Sequence, residues 1–112
     1  ITVGGGFAKM TKLGQGLLDL HSRRGEVDLN YLSERVREAG GDMAFVESVK
    51  RANTANEVLT TCEARGIDIG ALIVEDAWKT AAKALTGSGS LLDVVIVDRA
   101  GNVVARTKPK IV

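Results

Sequence analysis

The strongest strand signal in the chain lies near its C-terminal end and constrains the fold more than any other feature. Residues 91–97 are Leu-Leu-Asp-Val-Val-Ile-Val, which is rich in apolar and β-branched side chains. Turn-forming residues follow at 98–102, with Gly101 suited to a positive φ, and Val103–Ala105 returns as a partner strand. Because an isolated hairpin is marginally stable in water, this one needs a further partner. The β-type residues Ile1–Val3, at the other end of the chain, can supply it.

Five helical patterns fill the chain between these strands. The first predicts a helix from Phe7 to Leu20, because apolar residues recur there at spacings of three and four. The other four begin after Asp28, Asp42, Thr54 and Asp68. We therefore predict an α+β fold in which about five helices pack against a small sheet that includes the C-terminal hairpin. The remaining strands of that sheet are expected from a missing N-terminal region or from a second chain.

Two glycines interrupt the first helical pattern. Gly14 and Gly16 would each cost about 1 kcal/mol relative to alanine inside a helix. Two explanations fit this cost: another helix crosses closely at this point, or a flat ligand packs against the backbone.

The composition limits the class of protein. The 45% of apolar residues suffices for a core, and the 4% of aromatic residues means that Leu, Val, Ile and Ala must build it. A net charge of +1 gives no general attraction to nucleic acid or to a membrane surface, so we expect neither as a partner. A single cysteine, Cys62, excludes an internal disulfide and fits a reducing compartment, which predicts a cytoplasmic protein. With one cysteine and one histidine, we expect no protein-bound metal.

The start of the chain suggests a longer polypeptide. The sequence has no initiator methionine and opens inside a strand pattern. We therefore expect residues 1–112 to be a single C-terminal domain, or a fragment, of a longer chain.

Three adjacent glycines, Gly4, Gly5 and Gly6, stand between the first strand pattern and the first helix. The order of strand, glycine turn and helix predicts an anion site, because the first helical N–H groups lack partners and carry the positive end of the helix dipole. Lys9 and Lys12 follow within the next turns and add positive charge. The segment matches neither the dinucleotide fingerprint nor the Walker A loop. The alternative interpretation is a flexible turn into a core helix.

A polar cluster of His21, Ser22, Arg23 and Arg24 closes the first helical segment. The two arginines could form a carboxylate-binding patch, since arginine pairs with carboxylates in a bidentate manner. His21 could transfer a proton near neutral pH. The alternative is that these residues satisfy the last helical carbonyls and the helix dipole.

A second polar stretch surrounds the start of the fourth helix. Thr54 and Glu57 have the spacing of a capping box, which is a structural role. Asn53 and Asn56 could bind a polar ligand, or they could serve only the local turn. Cys62 falls on the apolar side of this helix, so we expect a core residue and not a nucleophile.

Four segments together resemble the C-terminal half of the CbiD family, the cobalt-precorrin-5B C-1 methyltransferases of anaerobic cobalamin biosynthesis. The resemblance runs in order over nearly the whole chain, and the combination of the glycine–lysine segment with His-Ser-Arg is specific. Family members are longer, and their N-terminal region, absent here, could be required for activity. The matching segments are Gly5–Leu13, Asp19–Arg24, Ala52–Leu59 and Val95–Gly101.

The resemblance implies transfer of a methyl group from S-adenosyl-L-methionine to C-1 of cobalt-precorrin-5B, which gives cobalt-precorrin-6A. The cobalt would then belong to the substrate and not to a protein site, and a homo-oligomer is possible. It also implies roles for the candidate residues. Carboxylates of the corrinoid or of the donor would meet Gly4, Gly5, Gly6, Lys9, Lys12, Ser22, Arg23 and Arg24. His21 would orient a carboxylate or assist a proton, and Asn53, Thr54 and Asn56 would line another wall.

A different class of function also fits the residues. The chain could be a non-catalytic α/β module that binds an anion or a nucleotide, or one that serves oligomerisation. Dependence on S-adenosyl-L-methionine distinguishes the two classes.

Overall fold

The computed structural model describes residues 1–17 and 26–112. Within them it contains five helices and a four-stranded mixed sheet, so the predicted α+β class is confirmed. The strands and helices are, in chain order, β1 Thr2–Gly6, α1 Phe7–Gly14, α2 Leu29–Glu38, α3 Met43–Val49, α4 Ala55–Ala64, α5 Gly70–Ala84, β2 Leu91–Val97, β3 Val103–Arg106 and β4 Lys110–Ile111.

Strand β2 is the centre of the sheet. Strand β1 pairs with it in parallel, from Thr2 opposite Asp93 to Gly6 opposite Val97. The predicted hairpin forms between β2 and β3, and the predicted pairing of the N-terminal strand with this hairpin is confirmed. The C-terminal segment adds β4, which pairs antiparallel with the first residues of β2.

Helices α1 and α5 cover one face of this sheet. Leu92, Val94 and Ile96 alternate along β2 and are fully buried in the core, against which α1 and α5 pack. The opposite face carries Asp93, whose carboxylate accepts hydrogen bonds from Thr2 Oγ1 at 2.6 Å and from Arg106 Nε at 2.8 Å. These two contacts lower the pKa of Asp93.

The first helix is shorter than predicted. It ends at Gly14 and not at Leu20, because Gly16 adopts a φ of +96° and turns the chain out of the helix. Two hydrogen bonds close this end: Leu17 N–H donates to Lys12 O and Gly16 N–H donates to Leu13 O. Residues 18–20 of the predicted helix lie outside the described residues.

Gly14 is explained by a close helix crossing, one of the two predicted alternatives. A Cβ added there would lie 2.7 Å from Tyr31 Oη, 3.4 Å from Asp76 Cβ and 3.5 Å from Ile73 O. Helices α1 and α5 therefore come within ordinary contact distance at Gly14, and the Tyr31 hydroxyl of α2 takes the space that a side chain would need.

The predicted caps fix the starts of α2 and α3. Asp28 accepts from Asn30 N–H at 2.8 Å, and Asp42 accepts from Phe45 N–H at 2.8 Å. Met43 is 70% exposed, while Phe45 fills the core from the same helix.

Candidate functional site

The three glycines form part of a strand, which corrects the prediction of a glycine turn. Gly4, Gly5 and Gly6 pair with Val95, Ile96 and Val97, and α1 begins at the next residue. Gly6 occupies the cap position of α1 and provides no side-chain hydrogen bond. The first turn of α1 therefore opens at the carboxyl ends of two parallel strands, the usual ligand-binding edge of such a sheet.

Packing explains two of these glycines and leaves the third unexplained. A Cβ on Gly4 would lie 3.0 Å from Val95 Cγ1, and one on Gly5 would lie 3.1 Å from Met10 Cε. A Cβ on Gly6 would meet nothing within 4 Å, and its φ of −69° suits any residue. Neither packing nor backbone geometry requires a glycine at position 6, and its small size leaves the adjacent space open.

That space is a cleft of about 350 Å³, here named the first cleft. Its walls come from four places in the chain: residues 4–6 of β1, residues 7–9 at the start of α1, Asn56 of α4, and residues 97–99 after β2. Lys9 and Arg99 bring two cations to it from different elements.

Ala8 also borders a second cleft, of about 450 Å³. Lys12 lines it from α1, Asn53 and Thr54 line it from the start of α4, and Glu26 contributes one carboxylate. The described chain resumes at Glu26, immediately after the segment that contains the predicted histidine and arginines.

All eight predicted binding residues that the structure describes line one of these two clefts. Residues 4–6, Lys9 and Asn56 line the first, and Lys12, Asn53 and Thr54 line the second. His21, Ser22, Arg23 and Arg24 lie outside the described residues. The structure thus brings together, around Ala8, predicted residues from two stretches that are about fifty positions apart in sequence.

The capping box at the start of α4 forms as predicted. Thr54 Oγ1 accepts from Glu57 N–H at 3.1 Å, and Glu57 Oε2 accepts from Asn53 N–H at 2.9 Å. The Asn56 side-chain amide makes no hydrogen bond to another described residue, so it can offer both a donor and an acceptor to the first cleft.

The electrostatics of the first cleft favour an anion. The N-terminus of α1 opens there, and Lys9 and Arg99 form no ion pair with any residue that the structure describes. Among the described residues, Asp98 supplies the one carboxylate in the lining, and its Oδ1 is engaged by the N–H groups of Ala100 at 2.9 Å and Asn102 at 2.8 Å.

Sequence reasoning missed Arg99. It belongs to the turn between β2 and β3, and its position beside α1 depends on the parallel pairing of β1 with β2. Its place directly after the C-terminal end of a buried strand was the available signal.

Other polar groups have structural roles. Arg35 is half-buried and lies 3.3 Å from Asp76 Oδ2, which also accepts from Tyr31 Oη at 2.6 Å. Cys62 is fully buried, and burial raises the pKa of its thiol to about 11, so its predicted core role is confirmed.

Within residues 1–17 and 26–112 there is no cluster of metal-ligating side chains, and no described helix is long and apolar enough to cross a membrane.

Comparison with known proteins identifies the family. The family described as CbiD, C-terminal domain, matches residues 19–108. Relatives named cobalt-precorrin-5B C(1)-methyltransferase include one from Bradyrhizobium sp., 50% identical over 106 residues, and one from Agrobacterium fabrum, 44% identical over 107 residues. These alignments cover 95% and 96% of this chain and 28% of each relative, so the chain spans less than a third of their length. No solved structure matches. Because the family pattern covers most of the sequence, this chain belongs to the CbiD family, whose C-terminal domain it resembles.

Proposed function

We propose that this chain works as the C-terminal domain of a CbiD-type enzyme that methylates C-1 of cobalt-precorrin-5B and gives cobalt-precorrin-6A in cobalamin biosynthesis. In this proposal S-adenosyl-L-methionine is the methyl donor, the corrinoid brings its own cobalt, and the protein is cytoplasmic. A homo-oligomer is compatible with it. The support is the name carried by relatives that are 44–50% identical to almost all of this chain.

The observation that carries the proposal is the pair of clefts around Ala8. The corrinoid precursor bears acetate and propionate arms, and the donor bears a methionine carboxylate. The first cleft offers carboxylates an open strand end at Gly6, the N-terminus of α1 and the cation of Lys9, and the second cleft offers Lys12 and the start of α4.

The reaction requires positioning more than covalent help from the protein. A sulfonium donor already supplies a good leaving group, so the chain must hold the acceptor carbon in line with the methyl group and exclude water. Lys9 and Lys12 neutralise carboxylates that would otherwise repel one another, while Asn56 orients a polar group at the mouth of the first cleft. His21, Ser22, Arg23 and Arg24 complete this binding surface in our proposal, with His21 orienting a carboxylate or assisting a proton.

A chimera tests the proposal. The Bradyrhizobium relative is produced with its matching 106 residues replaced by this chain, and is incubated with cobalt-precorrin-5B and S-adenosyl-L-methionine. We expect mass spectrometry to detect a product that carries one additional methyl group, and no product without the donor.

Two variants of the chimera make the test specific. Lys9→Gln should lower the rate about tenfold, because a charge-assisted hydrogen bond contributes about 1.5–3 kcal/mol. Lys79→Gln removes the same charge from an exposed position outside both clefts and should leave the rate unchanged. A folded chimera that binds neither donor nor corrinoid would favour the non-catalytic module instead.

A further inference from the structure

The turn between β2 and β3 is a rigid support for Arg99. Asp98 fixes it in three ways: its Oδ1 accepts from the N–H groups of Ala100 and Asn102, its own N–H donates to Asn102 O at 2.9 Å, and its carbonyl accepts from Gly101 N–H at 3.0 Å. Gly101 adopts a φ of +85°, which completes the turn. The Arg99 backbone is therefore held in place before any ligand arrives.

Arg99 faces a cleft that already contains a cation. It lines the first cleft with Lys9 and Asn56, and it also lines the neighbouring depression beside α4. Two cations from separate elements that share one small cleft repel each other unless an anion lies between them. Among the described residues, Asp98 is the only carboxylate in the lining of the first cleft, and it is engaged in the turn. The neighbouring depression also contains Glu63, which does not line the first cleft.

We propose that Arg99 is a carboxylate-binding residue of the first cleft, acting together with Lys9. The inference deepens the proposed function and rests on it. Arginine presents a planar pair of N–H groups that matches a carboxylate, whereas Lys9 provides a point charge. A volume of about 350 Å³ is at the small end for ligand sites, so the cleft accepts a side arm and not a cobalt-bearing macrocycle.

The carboxylate has two possible sources, which share the same chemistry. One is the methionine part of the methyl donor, and the other is an acetate or propionate arm of the corrinoid. Three probes separate them: S-adenosyl-L-methionine, a cobalt corrinoid with free carboxylates, and the same corrinoid with every carboxylate esterified.

The test measures the affinity of each probe for the chain, its Arg99→Gln variant and its Arg37→Gln variant by titration calorimetry. Arg37 is the matched control, because it is an exposed arginine paired with Glu34 on α2 and lies outside both clefts. Arg99→Gln should weaken binding of one carboxylate probe about tenfold, and Arg37→Gln should change it less than twofold. Arg99→Lys should recover part of the loss.

The pattern across probes determines the source of the carboxylate. Loss confined to the donor assigns the methionine carboxylate, and loss confined to the free-acid corrinoid, with weak binding of its ester, assigns a side arm. Unchanged affinities in Arg99→Gln overturn the inference while leaving the proposed function intact. The same holds if Arg99→Gln weakens binding of the esterified corrinoid as much as binding of the free acid. A wild-type chain that binds none of the probes refutes the proposed binding function and the inference together.

Discussion

Replacing Gly14 by alanine should destabilise the chain, although alanine is the better helix former. The added Cβ would lie 2.7 Å from Tyr31 Oη, so the tyrosine must move. Its hydroxyl donates to Asp76 Oδ2 at 2.6 Å, and the same oxygen lies 3.3 Å from Arg35 Nη1. The substitution therefore disturbs a polar cluster between α2 and α5 as well as the crossing of α1 with α5.

The sign of the stability change depends on the balance between helix propensity, which favours alanine, and the steric and hydrogen-bond costs, which oppose it. Helix propensity favours alanine by about 1 kcal/mol at most. Overpacking costs about 1–3 kcal/mol, and weakening a hydrogen bond to a charged acceptor costs about 1.5–3 kcal/mol. We expect Gly14→Ala to lower the free energy of unfolding by about 2 kcal/mol.

Tyr31→Phe should reverse this effect. The other two nearest atoms, Asp76 Cβ and Ile73 O, lie 3.4 Å and 3.5 Å from the new Cβ, which are ordinary contact distances. Without the hydroxyl oxygen, Gly14→Ala should be neutral or stabilising by up to about 1 kcal/mol. Urea unfolding of the wild type, both single variants and the double variant measures the coupling.

Gly16→Ala is the control for this cycle. Its φ of +96° makes alanine unfavourable by about 1–2 kcal/mol, but nothing lies within 4 Å of the added Cβ. Gly16→Ala should therefore lower the free energy of unfolding by the same amount with tyrosine or phenylalanine at position 31. If Gly14→Ala is equally destabilising in both backgrounds, the explanation by the hydroxyl contact is wrong.

Three further predictions concern single residues. Burial, followed by the hydrogen bond and charge of Asp76, raises the pKa of Tyr31 above its ordinary 10.0. Tyr31 therefore ionises at a lower pH in the unfolded chain than in the folded chain. The free energy of unfolding should fall between about pH 9 and pH 11, and it should fall by less in Tyr31→Phe. Burial raises the pKa of Cys62 from 9.0 to about 11, so a thiol reagent at neutral pH should label it only after urea unfolds the chain, and rapid labelling of the folded chain would contradict this. Gly6→Ala should change the free energy of unfolding by less than about 1 kcal/mol, because the added Cβ meets no atom within 4 Å. Since Gly6 lines the first cleft, the same change should weaken corrinoid or donor binding severalfold in calorimetry, and unchanged affinity would exclude Gly6 from the binding surface.

Local chemistry made much of the fold predictable. Asp28, Asp42 and the pair Thr54 and Glu57 cap helices through hydrogen bonds within four residues, so the sequence already contains both partners. The end of the first helix was not predictable in this way. Leu17 continues the apolar spacing. Only the structure distinguishes Gly14, which contacts Tyr31 and α5, from Gly16, whose positive φ turns the chain out of the helix.

The candidate site forms only because β1 pairs with β2, a strand that is far away in sequence. Gly4–Gly6 have low strand propensity, and they form a strand because Val95–Val97 offer a parallel partner far away in sequence. The glycine segment, the lysines and the asparagines could still be selected, since each suits an anion locally. For Arg99 the local signal was only its place directly after a buried strand, because the residues that share its cleft come from the other end of the chain.

The parallel pairing of β1 with β2 also has a consequence for the order of folding. Thr2 and Asp93 are 91 residues apart, so this part of the sheet carries one of the largest loop-closure costs that a chain of 112 residues allows. The helices and the hairpin of β2 and β3 depend on nearer contacts and are expected to form first. During synthesis β1 emerges long before β2, and until then its backbone N–H and C=O groups have no strand to pair with. Three of its five residues are glycines, which makes β1 a poor template for non-native strand pairing during that delay.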